Sequence, residues 1–434
     1  FVLNPFEQIL PHPNILVVNN DKNYEKLGIK HIFSENILDE IKIVFVESAN
    51  ILFLRYKGDH ELYLNGHLVQ NDKIFVLNNG SSIRNSKIKP IYFSDIVGRF
   101  AQDKIKERIV FDVQGIEFRF KSGKTGLHHM TFTEESGHLV GIMGASGAGK
   151  STLLNVLNGS EKPSLGSVCI NGIDIHNQKE QVEGQIGFVS QDDLLIEELT
   201  VYQNLYFNAK LCFDNYNVQQ LDEAVNKMLM SLGLFEIKDM KVGSPLNKKI
   251  SGGQRKRLNI ALELIREPAI LFLDEPTSGL SSRDSENILD LLKELTLKGK
   301  LVFVVIHQPS SDIFKMFDKL LILDTGGYLI YNGDPIESII YYKSRVQHAN
   351  WNESECTLCG NVNPEQIFNI VEAKVLDEYG NPTRARKINP SEWNQHFKRY
   401  FPDLKKINET PDELPKIHFK IPNWFKQLRI FVKR

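Results

Sequence analysis

The sequence predicts a central α/β domain with a mixed, largely parallel sheet, preceded by a small β-rich domain. A glycine-rich segment, residues 144–151, lies between the apolar run 139–143 and the helical pattern 152–157, as expected for a strand, a loop and a helix. Further apolar runs, at 270–273 and 301–306, alternate with helical segments, which is the layout of a parallel sheet. The N-terminal region contains closely spaced short β-type runs instead.

Length and composition restrict the class of protein. A chain of 434 residues is expected to hold two or three domains. Its 52 basic and 54 acidic residues nearly balance, so its overall charge does not favour a nucleic-acid partner. Its 4 cysteines are typical of reduced thiols on a cytosolic face. No apolar run reaches the roughly 18 residues of a membrane span, and the N-terminus lacks a signal peptide pattern.

Changes in pattern along the chain predict four segments. Residues 1–100 form the β-rich domain, and the charged stretch 101–108 is its linker to the next domain. Residues 109–345 form the α/β domain, and 346–434 form a C-terminal helical extension. Because the chain starts at Phe1 rather than Met and stops in mid-pattern, we expect it to be a fragment of a longer protein.

The β-rich region is predicted to be a small antiparallel sandwich. Strands are expected at residues 14–18, 41–46, 51–56 and 73–77, and a hairpin at 62–69. Asn65-Gly66 suits the hairpin turn, because both residues tolerate positive φ angles. The pattern at 64–66 and 77–84 resembles the last strands of forkhead-associated domains, which implies a phosphothreonine peptide as a partner. The arginine and serine motifs of that family are not found at their earlier positions, so a purely structural or regulatory module is the favoured interpretation and phosphopeptide binding the alternative.

The glycine-rich segment has the G-x-x-x-x-G-K-S pattern of a phosphate-binding loop. Its residues are Gly144, Ala145, Ser146, Gly147, Ala148, Gly149, Lys150 and Ser151. A strand followed by such a loop and a helix points several backbone N–H groups at one spot, and the helix N-terminus adds partial positive charge. Glycine allows close approach of the backbone, the lysine adds a charge toward the β- and γ-phosphates, and the serine hydroxyl can ligate Mg²⁺.

Two later strands are predicted to deliver polar side chains to the same edge. Residues 270–273 run into Asp274, which is suited to the Mg²⁺ shell, and Glu275, which can polarise an attacking water. Residues 301–306 run into His307, which could contact the γ-phosphate and hold that water in line. Acidic residues and histidines are common at strand ends, but together with the phosphate loop they indicate nucleotide hydrolysis.

A second anion cradle is predicted at a helix start, in the segment Ser251-Gly252-Gly253-Gln254. One phosphate chain does not need two cradles in one subunit, so this segment indicates a partner subunit. The basic run that follows, residues 255–257, is interpreted as a solvated or interface face of the helix rather than a nucleic-acid patch.

At this point the sequence closely resembles the ATP-binding cassette (ABC) ATPases over residues 109–345. The resemblance implies the following assignments: Gly144 to Ser151 with Thr152 as the Walker A loop, Gln191 as the Q-loop, Ser251 to Gln254 as the signature, Asp274 as the Walker B carboxylate, Glu275 as the catalytic base and His307 as the switch histidine. It implies ATP as substrate and Mg²⁺ as cofactor, with Ser151, Gln191 and Asp274 near the metal. The aromatic residue that stacks on adenine would be Phe120 or, as the alternative, Phe118.

The family resemblance also implies a second cassette as partner, identical or different, whose signature closes over the ATP of the first. All residues needed for hydrolysis are present, so a homodimer would have two competent sites. One departure concerns coupling across that dimer: the family usually has an aspartate after Ser278-Gly279-Leu280, and this chain has Ser281.

Segments at 192–205, 306–310 and 331–335 resemble the White-type G subfamily, in which the ATPase precedes a membrane domain in one chain. Residues 423–434 place an aromatic stripe and basic residues on a helix, which suits a membrane surface or, as the alternative, a soluble amphipathic helix. The resemblance implies a location at the cytoplasmic face of a membrane and export of lipophilic compounds. A soluble ABC ATPase that acts as a switch on a protein or nucleic acid is the competing interpretation.

The cysteine pair Cys356 and Cys359 has the spacing of half a zinc site. Because no second cysteine pair is present, a pair of structural or incidental thiols is the favoured interpretation over metal binding or redox activity. The stretch 380–387 is predicted to be a polar loop that joins two helices.

Overall fold

The computed structural model describes the chain except for residues 1–5, 7–11, 27, 35–36, 38, 47–48, 50, 65–66, 78–80, 86–87, 89–90, 102–107, 245–246, 248, 348–360, 402–413, 416–419 and 434. The Asn65-Gly66 turn, most of the predicted linker, and Cys356 and Cys359 lie outside the described residues. The predictions made for them stay predictions.

The elements of the N-terminal domain are β1 (Ile15–Asn19), α1 (Asn23–Lys26), β2 (Lys30–Phe33), β3 (Glu40–Val46), β4 (Ile51–Lys57), β5 (Tyr63–Leu64), β6 (His67–Leu68), β7 (Ile74–Leu77), β8 (Ser82–Arg84), β9 (Ile91–Tyr92) and α2 (Phe93–Ala101). They form a five-stranded sheet in the order β2-β1-β3-β4-β7 and a four-stranded sheet in the order β6-β5-β8-β9. Side chains from both sheets share one apolar core. The predicted strands and the 62–69 hairpin are therefore confirmed.

Two features of this domain differ from the prediction. The sandwich is not wholly antiparallel, because β1 and β2 run parallel. The short helix α1 lies between them and returns the chain to the same end of the sheet. The domain also ends in a helix, α2, which buries Ile96 and Phe100 in the core where only β structure was expected.

The elements of the α/β domain are β10 (Val110–Arg119), β11 (Thr125–Glu135), β12 (Leu139–Gly144), α3 (Lys150–Leu157), β13 (Leu165–Ile170), β14 (Ile173–Asp174), β15 (Ile186–Val189), α4 (Val201–Cys212), α5 (Val218–Ser231), α6 (Gly252–Leu264), β16 (Ile270–Asp274), α7 (Ser282–Leu297), β17 (Leu301–Val305), α8 (Ser311–Met316), β18 (Lys319–Asp324), β19 (Tyr328–Gly333) and α9 (Pro335–Arg345). Single turns of 3-10 helix lie at Lys179–Gln181 and Phe235–Ile237.

The central sheet of this domain has six strands in the order β15-β16-β17-β12-β18-β19. All neighbours are parallel except β18 and β19, which are antiparallel. Val140 and Ile142 of β12 face one core, which also contains Leu153 of α3, whereas Leu139 and Met143 face the other. A second, antiparallel sheet, β11-β10-β13-β14, completes the domain. The predicted α/β fold with its mixed, largely parallel sheet is confirmed.

The C-terminal elements are α10 (Glu365–Val371), β20 (Lys374–Leu376), β21 (Pro382–Arg386), α11 (Pro390–Tyr400) and α12 (Trp424–Lys433). The prediction of a polar loop at 380–387 is wrong, because β20 and β21 pair as an antiparallel hairpin. Asp377 forms the turn: its Oδ1 accepts hydrogen bonds from the N–H groups of Tyr379, at 2.9 Å, and Asn381, at 2.8 Å.

The C-terminal extension packs against the α/β domain through α11. Trp393 of α11 is 0% exposed, and its ring lies edge-on to Tyr342 of α9 with 5.3 Å between ring centroids. α12 lies against α4, with Ile430 buried and Lys426 Nζ 2.8 Å from Asp214 Oδ1. Its aromatic residues remain at the surface; Trp424, for example, is 66% exposed. Among the described residues, no helix has the length and apolar character needed to cross a bilayer.

We predict that Trp393→Ala lowers the free energy of unfolding by about 3–5 kcal/mol, because it leaves a large cavity between α11 and α9. Urea denaturation followed by circular dichroism measures this loss. Trp424→Ala is the matched control, since it removes the same side chain from an exposed position and should change stability by no more than about 0.5 kcal/mol. Equal effects of the two substitutions would contradict the packing of α11 described here.

Candidate nucleotide-binding site

The predicted phosphate loop connects the buried strand β12 to the N-terminus of α3. Gly149 has φ 90°, a left-handed conformation that favours glycine, and it precedes Lys150, the first residue of the helix. Gly144 is needed for a different reason: a Cβ atom there would lie 2.5 Å from the backbone oxygen of Leu323 on the neighbouring strand. Ser146 and Gly147 are exposed, so the tip of the loop is accessible. Strand, loop and helix N-terminus are therefore arranged as anion cradles require.

Lys150 lies inside this loop. Its Nζ donates hydrogen bonds to the backbone oxygens of Gly144, at 2.8 Å, and Ala145, at 3.0 Å. Burial lowers the pKa of Lys150, although the negative charges of Glu275 and Asp274 act in the opposite direction. The loop thus holds a partly desolvated ammonium group, which would gain strongly from an anion.

The ends of β16 and β17 bring three predicted residues together. Glu275 Oε1 lies 3.0 Å from Nε2 of His307, and Gln191 Nε2 donates to Glu275 Oε2 at 3.1 Å. Asp274 pairs in register with Val305, which explains why residues following the two strands meet. Glu275 has φ 47°, an uncommon conformation for a non-glycine residue, and it aims the carboxylate at its two partners.

Asp274 is the other carboxylate at this edge. Burial raises its pKa, and a hydrogen bond with the Ser151 side chain acts in the opposite direction. The carboxylate and the hydroxyl are both oxygen ligands of the kind that Mg²⁺ prefers. A half-buried carboxylate that is costly to ionise fits a divalent cation, because the cation would stabilise its charged form.

The predicted signature begins α6. Ser251 Oγ accepts a hydrogen bond from the backbone N–H of Gln254 at 3.1 Å, and Gln254 Oε1 accepts one from the N–H of Ser251 at 2.8 Å. A Cβ atom on Gly253 would lie 2.6 Å from Oδ1 of Asp284, which belongs to the first turn of α7. Between the described residues of the signature and those of the phosphate loop, no hydrogen bond or ion pair is found. The structure does not bring these two motifs together within one chain.

Ser281, where the family resemblance leads one to expect aspartate, caps α7. The backbone N–H of Asp284 donates to Ser281 Oγ at 3.2 Å, and this hydroxyl donates to Asp284 Oδ2 at 2.9 Å. The serine therefore has a local structural role as an N-cap.

In the basic run 255–257, Arg255 and Lys256 do not form a solvated face, and for these two residues that interpretation is wrong. Arg255 and Lys256 are each only 7% exposed. Lys256 Nζ donates to the backbone oxygens of Ser190, at 3.3 Å, and Gln191, at 3.0 Å, while Arg255 pairs with Asp193. These long cationic side chains are buried because backbone carbonyl groups of the loop and the Asp193 carboxylate accept hydrogen bonds from them. The acidic residues that follow Gln191 were the available signal in the sequence.

The two aromatic candidates differ in exposure. Phe118 is 9% exposed and Phe120 is 42% exposed, with 5.2 Å between their ring centroids in an edge-on arrangement. The Phe120 ring also covers Gly126, whose backbone oxygen lies near Gly149 of the phosphate loop. Of the two, Phe120 is the side chain at the surface beside this loop.

The profile of the family described as ABC transporter matches residues 127–278, which contain the phosphate loop, the Q-loop, the signature and both strand-end carboxylates. The chain carries an ABC ATPase cassette that resembles those of the G subfamily. A cassette of this family is an ATP-binding domain.

Two relatives and one solved structure show the extent of the similarity. ABC-type transporter claG of Penicillium crustosum is 38% identical over 220 residues, which cover 50% of this chain and 29% of that protein. Broad substrate specificity ATP-binding cassette transporter ABCG2 of Mus musculus is 31% identical over 324 residues, which cover 74% of this chain and 46% of that protein. The cbiO1 structure from Clostridium perfringens, part of the ABC transporter complex cbiONQ, has a TM-score of 0.47 and 26% identity over 55% of this chain and 97% of that chain. The chain thus spans less than half the length of these two transporters.

We predict that Asp274→Asn raises the melting temperature of the nucleotide-free cassette by a few degrees at pH 7. The folded protein raises the pKa of Asp274 above its ordinary value, so ionisation costs stability at any pH above that value. The difference from wild type should shrink as the pH falls toward the ordinary aspartate pKa, where both side chains are neutral. Thermal unfolding measured across pH tests this, and a lower melting temperature for the variant at pH 7 would contradict it.

Proposed function

We propose that this chain is the ATP-hydrolysing motor of a membrane transporter. The observation that carries the proposal is the convergence of Gln191, Glu275 and His307 at the strand ends beside Asp274 and Lys150. A nucleotide cradle alone would serve binding. A carboxylate held by two polar side chains at its edge is what hydrolysis needs.

Different residues of the site would bind the phosphates, Mg²⁺ and the adenine ring. Backbone N–H groups at the start of α3 and the ammonium group of Lys150 would hold the phosphates, with Lys150 exchanging its contacts to Gly144 and Ala145 for phosphate oxygens. Ser151, Asp274 and Gln191 would hold Mg²⁺. When bound, Mg²⁺ neutralises charge that develops on the phosphate oxygens. Phe120 would stack on adenine, since its exposed ring lies beside the loop.

Glu275 would act as the general base. Its carboxylate accepts a hydrogen bond from Gln191 and lies against His307, which hold it in one orientation. It would accept a proton from the attacking water as the water's oxygen bonds to the γ-phosphorus and the bond to the ADP oxygen breaks. His307, whose side chain is 45% exposed, would turn toward the γ-phosphate and hold the attacking water in line.

The signature supports a dimer. Among the described residues it is capped and packed against α7, and no hydrogen bond or ion pair joins it to the phosphate loop. A second cassette, identical or different, would bring its signature over the first one's ATP. Closure of the cassette dimer on ATP and its reopening after hydrolysis would then supply the motion that drives transport.

The surface of α12 supports a membrane partner. Trp424, Phe425 and Val432 are exposed beside basic residues, a combination suited to the membrane interface. The two relatives described above are named as transporters, one of them as a transporter of broad substrate specificity. We propose a membrane domain in the same full-length protein, placement at the cytoplasmic face, and export as the direction.

We predict that Glu275→Gln retains ATP binding but lowers phosphate release at least about 100-fold, because the amide cannot accept the proton from water. In the presence of ATP, this variant should elute as a dimer on gel filtration. Glu183→Gln, an exposed carboxylate away from the site, is the control and should behave as wild type. Hydrolysis at the normal rate by Glu275→Gln would show that another group is the base.

We predict that the full reading frame containing this chain encodes several apolar segments of about 20 residues after the cassette. Sequencing the full-length transcript tests this. A transcript without such segments would favour the soluble switch over the transporter.

A further inference from the structure

The C-terminal extension contacts the turn between β18 and β19 at both of its ends. Arg386 of β21 reaches one end, where its Nη1 lies 2.6 Å from Oδ1 of Asp324. Asn394 of α11 reaches the other end, where its Nδ2 donates to the backbone oxygen of Leu329 at 2.6 Å. Since Asn394 is only 7% exposed, the second contact is also shielded from water.

Arg386 is the cation that pairs with the buried Asp324. The residue is 1% exposed, and its Oδ1 also accepts a hydrogen bond from the backbone N–H of Thr325 at 2.6 Å. Within the described part of the chain, Oδ2 has no hydrogen-bond partner. A buried carboxylate without a compensating cation is strongly unfavourable, so loss of Arg386 would force this end of the turn to move or to admit water.

The turn between β18 and β19 packs against the phosphate loop. Gly327 in the turn donates to the backbone oxygen of Asp324 at 3.1 Å and accepts from the N–H of His128 on β11 at 2.9 Å. Its backbone is packed so closely that a Cβ atom on Gly327 would lie 2.1 Å from the oxygen of Gly126. A Cβ atom on Gly149 would lie 3.1 Å from that same oxygen and 3.5 Å from the Cα of Gly327.

The other end of the phosphate loop rests on the same strand. Leu323 directly precedes Asp324, and its backbone oxygen is the atom that leaves no room for a side chain on Gly144. Gly144 and Leu323 are partners in the register of β12 and β18. A shift of Asp324 would therefore be transmitted to both Gly144 and Gly149.

We propose that Arg386 is a positioning residue for the ATP site: it holds Asp324, and through the turn after β18 it holds the phosphate loop in its binding geometry. The inference rests on the proposed role of this loop in binding ATP. It gives the β20–β21 hairpin a function in setting nucleotide affinity, although no residue of that hairpin touches the phosphate loop in the contacts described above.

The test measures the Kd of the complete chain for a fluorescent ATP analogue with Mg²⁺. Arg386→Gln should raise Kd about tenfold, the effect of losing one hydrogen bond between charged groups that supports the site. Arg384→Gln is the matched control, because Arg384 lies on the same strand with an exposed side chain. It should leave Kd within about twofold of wild type, the size expected of a surface substitution.

A double-mutant cycle tests whether Arg386 acts through Asp324. Asp324→Asn keeps an oxygen for the N–H of Thr325 but removes the charge. If the two residues act as a pair, Asp324→Asn combined with Arg386→Gln should be no worse than Arg386→Gln alone. Effects that multiply would show independent roles and would overturn the proposal.

A comparison of kcat with KM separates positioning from a general loss of stability. Arg386→Gln should raise KM for ATP and leave kcat nearly unchanged, because Gln191, Glu275 and His307 follow β15, β16 and β17 rather than β18. Arg386→Lys retains the positive charge and should restore part of the affinity for ATP. If Arg386→Gln does not fold, Kd and KM are measured with Arg386→Lys instead.

A lower melting temperature with an unchanged Kd in the Arg386 variants would show that the pair is merely structural. Wild-type chain that fails to bind the analogue would overturn the proposed function and this inference with it. Wild-type binding with equal Kd values for the Arg386 and Arg384 variants would overturn the inference alone.

Discussion

The nucleotide site depends on the parallel alignment of β12, β16 and β17. In this register the phosphate loop, Glu275 and the residues after β17 leave the sheet at the same edge. Hydrogen bonds between the three strands fix the positions at which these residues leave the sheet. Each strand is buried on both faces, so a shift of one strand would displace apolar side chains from two cores at once. The residues of the loops are thus attached to strands that are buried on both faces.

Charge at this edge is held at a cost to stability. Burial disfavours the ionised forms of both Asp274 and Lys150. The opposite charge of each residue partly offsets this effect on the other. In the proposed function, nucleotide and Mg²⁺ would supply the missing opposite charges, so their binding would relieve part of this cost. The nucleotide-free cassette is therefore poised to gain stability on binding, which is the usual relation between a preorganised site and its ligand.

Supports from outside the sheet set the finer geometry. Lys256 of α6 holds the backbone of the Q-loop at Ser190 and Gln191, and Arg386 of the C-terminal hairpin holds Asp324. Lys256 is buried and Arg386 is half-buried, and each contacts a partner that is far away in the sequence. The cassette of this chain is in this sense larger than the matched family segment, because a strand after residue 380 contributes to its support.

The sequence by itself determined the α/β fold, the phosphate loop and the residues that follow β16 and β17, because apolar strands and their terminal polar residues are local patterns. Burial of Arg255 and Lys256, the parallel pairing of β1 with β2, and the β20–β21 hairpin were decided only by the tertiary structure. For the cations, the partner is distant along the chain: Asp193 for Arg255, the backbone of Gln191 for Lys256, and the Asp324 carboxylate for Arg386. A charged residue looks solvated in sequence until the fold supplies a buried carbonyl or carboxylate for it, since only that partner offsets the loss of water.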